Sequence, residues 1–226
     1  MHLMPLPRAA GRAPGRAQAG PHPLVGSAAV PRGRGARGIT LVELMISIAL
    51  VAILLKLAAP PMANWVANAR VRTIADSLQN GVRLAQAEAV RRNRQVVFFL
   101  SNVSTCNTTD ASADNGTRWQ IRTVPLVAGD PVVAVQCGAL ADVGSNVTIT
   151  GPRAICFNSA GRQVANAAPG PTGAACTLDA GGAASQYNIA AANSDRPQRV
   201  LVALGGHTRM CDPAKTLGAG NPDGCP

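Results

Sequence analysis

Aromatic side chains and charges are both scarce in this sequence. Tyr occurs once, Trp twice and Phe three times, 3% of 226 residues. Any core must therefore be built from Ala, Val, Leu and Ile, which the 47% apolar content permits. Charged residues make up 14%, against roughly 25% in an average globular chain. That excludes a highly charged nucleic-acid tail, and the apolar content excludes a fully disordered chain. No CxxC pair occurs and the three His residues (His2, His22 and His207) are scattered, so zinc ligation has little basis. A Gly-rich phosphate loop with its Lys is also missing. Hydrolysis would need a nucleophile beside a base, or two carboxylates in a cleft. The acids here are spread thinly, mostly in Gly/Pro-rich loops. The expectation is a protein without catalytic residues, cofactor or metal.

What charge there is lies unevenly. The net charge is +10. Residues 1–38 carry Arg8, Arg12, Arg16, Arg32, Arg34 and Arg37 and no acid. Residues 39–94 are also net basic, whereas bases and acids balance in 95–226. The high isoelectric point thus belongs to the N-terminal third, and a general nucleic-acid surface on the body is not implied.

One run, Ile39–Ala59, is long and apolar enough to cross a bilayer; only Thr40, Glu43, Ser47 and Lys56 in it are polar. At 1.5 Å per residue it would span about 31 Å, close to the thickness of a hydrocarbon core. A multi-span transporter is excluded. The preceding arginines keep the N-terminal end in the cytoplasm, and residues 60–226 lie across the membrane from it. Ala58-Ala59-Pro60-Pro61 makes a poor secretory cleavage site, because two prolines come directly after the alanines. Glu43 is the anomaly: a carboxylate in such a helix costs a few kcal/mol. Either it sits at the interface with no role, or it awaits a cationic partner.

Six cysteines, Cys106, Cys137, Cys156, Cys176, Cys211 and Cys225, all lie on the C-terminal side of this run. An even count on one side of a membrane segment reads as disulfides in an oxidising compartment. Sequential pairing is expected, with Cys211–Cys225 first because it would tie down a Gly/Pro-rich tail.

Pro60-Pro61 should kink or break the helix. Val71, Ile74, Leu78, Val82, Ala85 and Ala89 then recur at spacings of three and four, an amphipathic helix expected to end near Arg94. The cluster Arg91, Arg92 and Arg94 suits a helix C-terminus, and that reading is preferred to a DNA patch. Beyond it, β-prone runs alternate with Gly, Asn, Asp and Pro breakers: 95–100, 118–124, 132–136, 147–150, 154–157, 186–190, 199–204 and 208–211. Residues 102–117 and 165–184 read as loops. The plan is α+β, a long helix packed on antiparallel sheet.

The stretch Arg37-Gly38-Ile39-Thr40-Leu41-Val42-Glu43-Leu44 resembles the prepilin processing motif of type IV pilins and type II secretion pseudopilins. The resemblance implies cleavage between Gly38 and Ile39 by a membrane prepilin peptidase and N-methylation of the new first residue. It also implies that Glu43 pairs with a neighbouring subunit's amino terminus during assembly. Ile39 departs from the Phe usual in the family, and the leader is long; residues 1–30 have the Ala/Gly/Pro/Arg composition of an over-long start in a GC-rich gene. Residues 85–93, 155–162 and 199–211 resemble the helix, the central turn and the closing strands of the FimT/GspH branch. In its FimT-type members a Gly-Arg-x-Arg motif in these closing strands contributes to DNA binding. Gly206, His207, Thr208 and Arg209 stand there, with His in place of the first Arg. Arg209, His207 and Lys215 are therefore the DNA-contact candidates, against the plainer reading of cations at a strand end.

The domains expected are a leader (1–38), a transmembrane and assembly helix (39–61), an amphipathic helix (62–94) and a periplasmic, disulfide-linked β domain (95–226). The function implied is a FimT-like minor pilin of a type IV pilus, supporting assembly and DNA uptake. The alternative is an H-type minor pseudopilin of type II secretion. Partners would be other pilin or pseudopilin subunits, the prepilin peptidase, inner-membrane lipid and DNA.

Overall fold

The computed structural model describes residues 38–140, 146–178 and 184–226, the side chains of 57–61 excepted. The leader segment 1–37 lies outside the described residues. The chain divides into two compact units, Met1–Met45 and Ile46–Pro226.

In the first unit Thr40 caps α1 (Leu41–Arg91). Its Oγ1 accepts the Glu43 backbone N–H at 3.2 Å, and its carbonyl accepts the Leu44 N–H at 3.1 Å. Thr at the cap with Glu three residues on is the spacing of a capping box. The carboxylate stands in the first turn, at the positive end of the helix dipole.

Of the kink or break expected at Pro60-Pro61, the break does not occur. α1 runs as one element of 51 residues, through Pro60-Pro61. A proline removes one ladder bond, and here the turns on both sides carry the helix across the gap. At the other end the helix stops at Arg91, three residues before the expected limit. Asn93 adopts a left-handed φ of 49°. The Arg94 N–H reaches the Ala89 carbonyl (3.2 Å) and the Asn93 N–H the Val90 carbonyl (3.1 Å). That double closure is a Schellman turn, with Asn in the place usually taken by Gly. The basic cluster is engaged locally. Arg91 and Arg92 both pair with Glu88, and their hydrogen bonds hold its carboxyl down to about 2. Arg94 turns to the Val124 carbonyl and Asp130, each at 2.9 Å.

The β-rich part forms two sheets rather than one. The first has the order β3 (Ala134–Ala139), β2 (Arg118–Thr123), β1 (Val96–Ser101), β5 (Ala154–Phe157), β6 (Gln163–Val164), antiparallel throughout. The second has the order β10 (Gly224–Cys225), β9 (Thr208–Thr216), β8 (Gln198–Val202), β7 (Ser185–Ala191), β4 (Val147–Thr150). Its β9–β10 pair is parallel. Strands β6 and β10, two residues each, had no signal in the sequence. β9 runs five residues beyond Cys211, carrying Pro213.

The stripe Val71, Ile74, Ala75, Leu78, Val82, Ala85 and Ala89 is buried. It shares one cluster with Phe98, Trp119, Ile121 and Phe157 of the first sheet and Ile149, Tyr187, Ile189, Val200 and Val202 of the second. One helical face thus closes both sheets. Gln163 stitches the seam between them: its Nε2 donates to the Val202 carbonyl at 2.7 Å and its Oε1 accepts from Ser185 at 2.9 Å. Trp119 explains an otherwise costly helical glycine. A Cβ at Gly81 would lie 2.9 Å from its ring, and one at Gly138 2.4 Å. Its indole N–H donates to Ser77 at 3.2 Å.

The disulfides are Cys106–Cys137, Cys156–Cys176 and Cys211–Cys225. The last two are buried, whereas Cys106 is exposed.

Tyr187 is fully buried and its hydroxyl has no partner among the described residues; burial alone pushes that hydroxyl's pKa up. An unpaired buried hydroxyl costs about 1–3 kcal/mol. Tyr187→Phe keeps the ring against Phe98 and removes the orphan. The urea midpoint should rise, by about 1 kcal/mol in stability. A fall in the midpoint would mean that an ordered water satisfies the hydroxyl.

Candidate functional site

Residues at the two ends of the described chain carried the functional expectations. Gly38 and Ile39 precede α1 in non-helical chain and are exposed. From Leu41 to Leu55 the helix is apolar almost all round, and its large side chains are uncovered, 51–76% exposed. A helix apolar on every face is buried in its working state, in lipid or against other helices. Among the described residues no helix is long and apolar enough to cross a membrane. The expected run Ile39–Ala59 ends in residues 57–61, whose side chains lie outside the described ones.

The C-terminal cations are placed differently from one another. His207 lies exposed in the turn between β8 and β9. Arg209, on β9, donates from Nη2 to the Pro222 carbonyl (3.0 Å) and the Gly224 carbonyl (3.1 Å). Lys215 pairs with Asp223 at 2.6 Å and lies 3.6 Å from Asp212. The hydrogen bond from Lys215 holds the Asp223 carboxyl below its ordinary range. Together with Cys211–Cys225 these contacts lash the tail to β9. Two of the three candidates thus bind the chain itself, and the three do not converge on a common cleft. Among the described residues no three His, Cys, Asp or Glu side chains come together to hold a metal ion.

Two buried constellations were not foreseen. Arg122, on β2, is 2% exposed. Its guanidinium donates to the carbonyls of Asn107, Thr108 (2.8 Å) and Asp110 (2.9 Å) and to Gln120 Oε1 (3.2 Å). It stacks 4.6 Å from the Phe99 ring centroid. The Asp110 carboxylate accepts from Gln120 Nε2 (2.7 Å), the Asn107 N–H (3.0 Å) and Thr105 (3.2 Å). Burial pushes that carboxyl up, but these hydrogen bonds and the nearby Arg122 charge outweigh it and the pKa is lowered. This network moulds segment 102–117 onto the first sheet. No signal in the sequence pointed to it, because Arg118, Gln120 and Arg122 alternate with Trp119 and Ile121 as on a strand with one solvated face.

The second constellation joins three elements. Gln86 Nε2, on α1, donates to the Gly161 carbonyl at 3.0 Å. Gly161 and Gly206 have φ of 73° and 86°. A Cβ at Gly206 would meet Gln86 Nε2 at 2.0 Å and the Gly161 carbonyl oxygen at 2.2 Å. The helix, the turn after β5 and the turn after β8 are locked at one point.

The model of the type II transport protein GspH family matches residues 75–206, more than half of the chain. The chain belongs to the GspH family. The prokaryotic N-terminal methylation motif matches residues 33–55, which contain Gly38, Ile39 and Glu43. The two matches place the chain in the superfamily of type IV pilins and pseudopilins, whose members are structural subunits. No curated protein matches the chain. Among solved structures it is similar to the type IV minor pilin FimU of Pseudomonas aeruginosa, at 13% identity and TM-score 0.42, over 64% of this chain and 90% of that one. It is also similar to the minor pseudopilin EpsH of Vibrio cholerae, at 12% identity and TM-score 0.41, over 65% and 99%. A third similarity is to GspH of Escherichia coli, at 13% and 0.40, over 68% and 95%. Within the GspH match, the Gln86–Gly161–Gly206 lock supplies one residue to each of the three stretches that resemble the FimT/GspH branch.

Proposed function

We propose that the mature chain begins at Ile39 and is a minor subunit of a pilus or pseudopilus filament. It is anchored in the inner membrane by residues 39–59, with the disulfide-linked domain in the periplasm. The observation that carries this is the uncovered apolar surface of Leu41–Leu55 directly after a processing motif. Such a surface is stable only in lipid or among other subunits' helices. The prepilin peptidase removes the leader, and Glu43 receives the amino terminus of an adjacent subunit.

Two finer readings each have one support. The resemblance of residues 199–211 to FimT-type closing strands favours a type IV pilus. The description of the matching family as a type II transport protein favours a pseudopilin. DNA contact loses ground, because Arg209 and Lys215 are held by the tail.

Intact mass and N-terminal sequencing of the protein recovered from bacterial membranes test the proposal. A chain starting at Ile39, with or without a methyl group, is the expected result; one retaining Arg37-Gly38 refutes it. Glu43→Gln should leave cleavage intact and lower recovery in sheared filaments by on the order of tenfold, because an unpaired amino terminus in hydrocarbon costs a few kcal/mol. Co-purification with pilus or with secretion proteins then decides the machine.

A further inference from the structure

Between the apolar run and the domain, α1 has a collar of different chemistry. Val71 is the first helical residue completely buried against the sheets. Ala59 ends the apolar run. The eleven intervening residues include Met62, Asn64, Trp65, Asn68 and Arg70, and Arg72 lies just beyond Val71. Trp65 is 71% exposed, one of two tryptophans in the chain; the other, Trp119, is in the core. A large exposed aromatic on a helix whose next turns are buried calls for a partner.

We propose that Trp65 is seated in the headgroup layer of the membrane and sets the height at which the domain stands above it. The inference rests on the anchoring reading of residues 39–59. Three observations select lipid over another chain. Trp65 is six residues beyond Ala59, about 9 Å at the helical rise; helical side chains lean back toward the N-terminus. That brings the indole into the interfacial layer, which extends roughly 5–8 Å past the hydrocarbon. The collar mixes Trp and Met with Asn and Arg, the composition of a water–lipid boundary. On α1, Lys56, Arg70 and Arg72 are the only charges between Glu43 and Asp76, so the helix's own charge there is cationic, as an anionic lipid surface favours; Asp195 reaches it through Asn68, whose Nδ2 donates to that carboxylate at 2.5 Å.

The test uses the protein extracted from membranes and reconstituted in phosphatidylcholine–phosphatidylglycerol vesicles. Trp65 emission is taken as the difference between wild type and Trp65→Phe. Phosphatidylcholine brominated near the glycerol end of its chains should reduce that emission roughly twofold, and lipid brominated near the chain ends should scarcely change it. Equal quenching by the deep bromines would overturn the inference, because the indole would then lie in hydrocarbon. So would quenching by aqueous iodide alone, or by none of these, which would put Trp65 in water or beneath another subunit. A protein that does not float with the vesicles would refute anchoring itself, and that outcome is read separately from the quenching.

Discussion

Arg122→Met should destabilise the domain by about 3 kcal/mol and open segment 102–117 first. Methionine keeps much of the volume beside Phe99 but donates nothing. The carbonyls of Asn107, Thr108 and Asp110 then lose their shared donor, and a hydrogen bond from a charged donor contributes about 1.5–3 kcal/mol. Part of the loss is recovered, because Asn107 and Thr108 can turn to water. Asp110 cannot, being 6% exposed. Cys106–Cys137 keeps the segment tethered to β3, so the opening should be local at first. Hydrogen exchange should accelerate in 102–117 well before it does in α1. The sign of the pH dependence is set by Asp110. Its folded pKa is below its ordinary value of 3.8. The stability it contributes is therefore complete above that value and is lost as the pH falls through the folded pKa. The cost of Arg122→Met, measured by urea unfolding, should shrink below about pH 3.8. A cost independent of pH would mean that Arg122 acts through the neutral carbonyls and its packing, and not through the Asp110 charge.

Gly206→Ala should cost about 3 kcal/mol or more. A left-handed φ of 86° already penalises an L side chain by about 1–2 kcal/mol. The added Cβ would also meet a backbone oxygen at 2.2 Å, that of Gly161, which cannot rotate away. Gln86 could swing clear, but only by giving up its bond to Gly161. The neighbouring Gly205 is the control. A Cβ there meets nothing within 4 Å, and Gly205→Ala should change the urea midpoint little. Equal effects at the two positions would show that the turn, not the lock, is what the domain depends on. Since the lock joins α1 to both sheets, the Gly206 variant should also accumulate poorly in cells.

Some of this was legible beforehand, for local reasons. The stripe Val71 to Ala89 was readable because a helix buries residues at a fixed period, and every one of those six positions is buried. The runs at 147–150 and 154–157 coincide with β4 and β5 because breakers bound them closely. Other features left no local trace. β6 and β10 are two residues long and exist only because a neighbouring strand is present to pair with them. Pro60-Pro61 satisfies the local criterion for a break, yet flanking turns override it.

The roles of the cations divide in the same way. Sequence determines that a methylation motif, a carboxylate and an apolar run stand together around Gly38 to Ala59, since these are contiguous and need no folding to be adjacent. Tertiary structure alone decides what Arg122, Arg209 and Lys215 do. The type of such a side chain states that it can donate to an anion or a carbonyl. Which one it reaches depends on groups up to 15 residues away that β pairing and the Cys211–Cys225 bridge bring within 3 Å or so. The charge was visible in the sequence, but its acceptors were assembled by the fold.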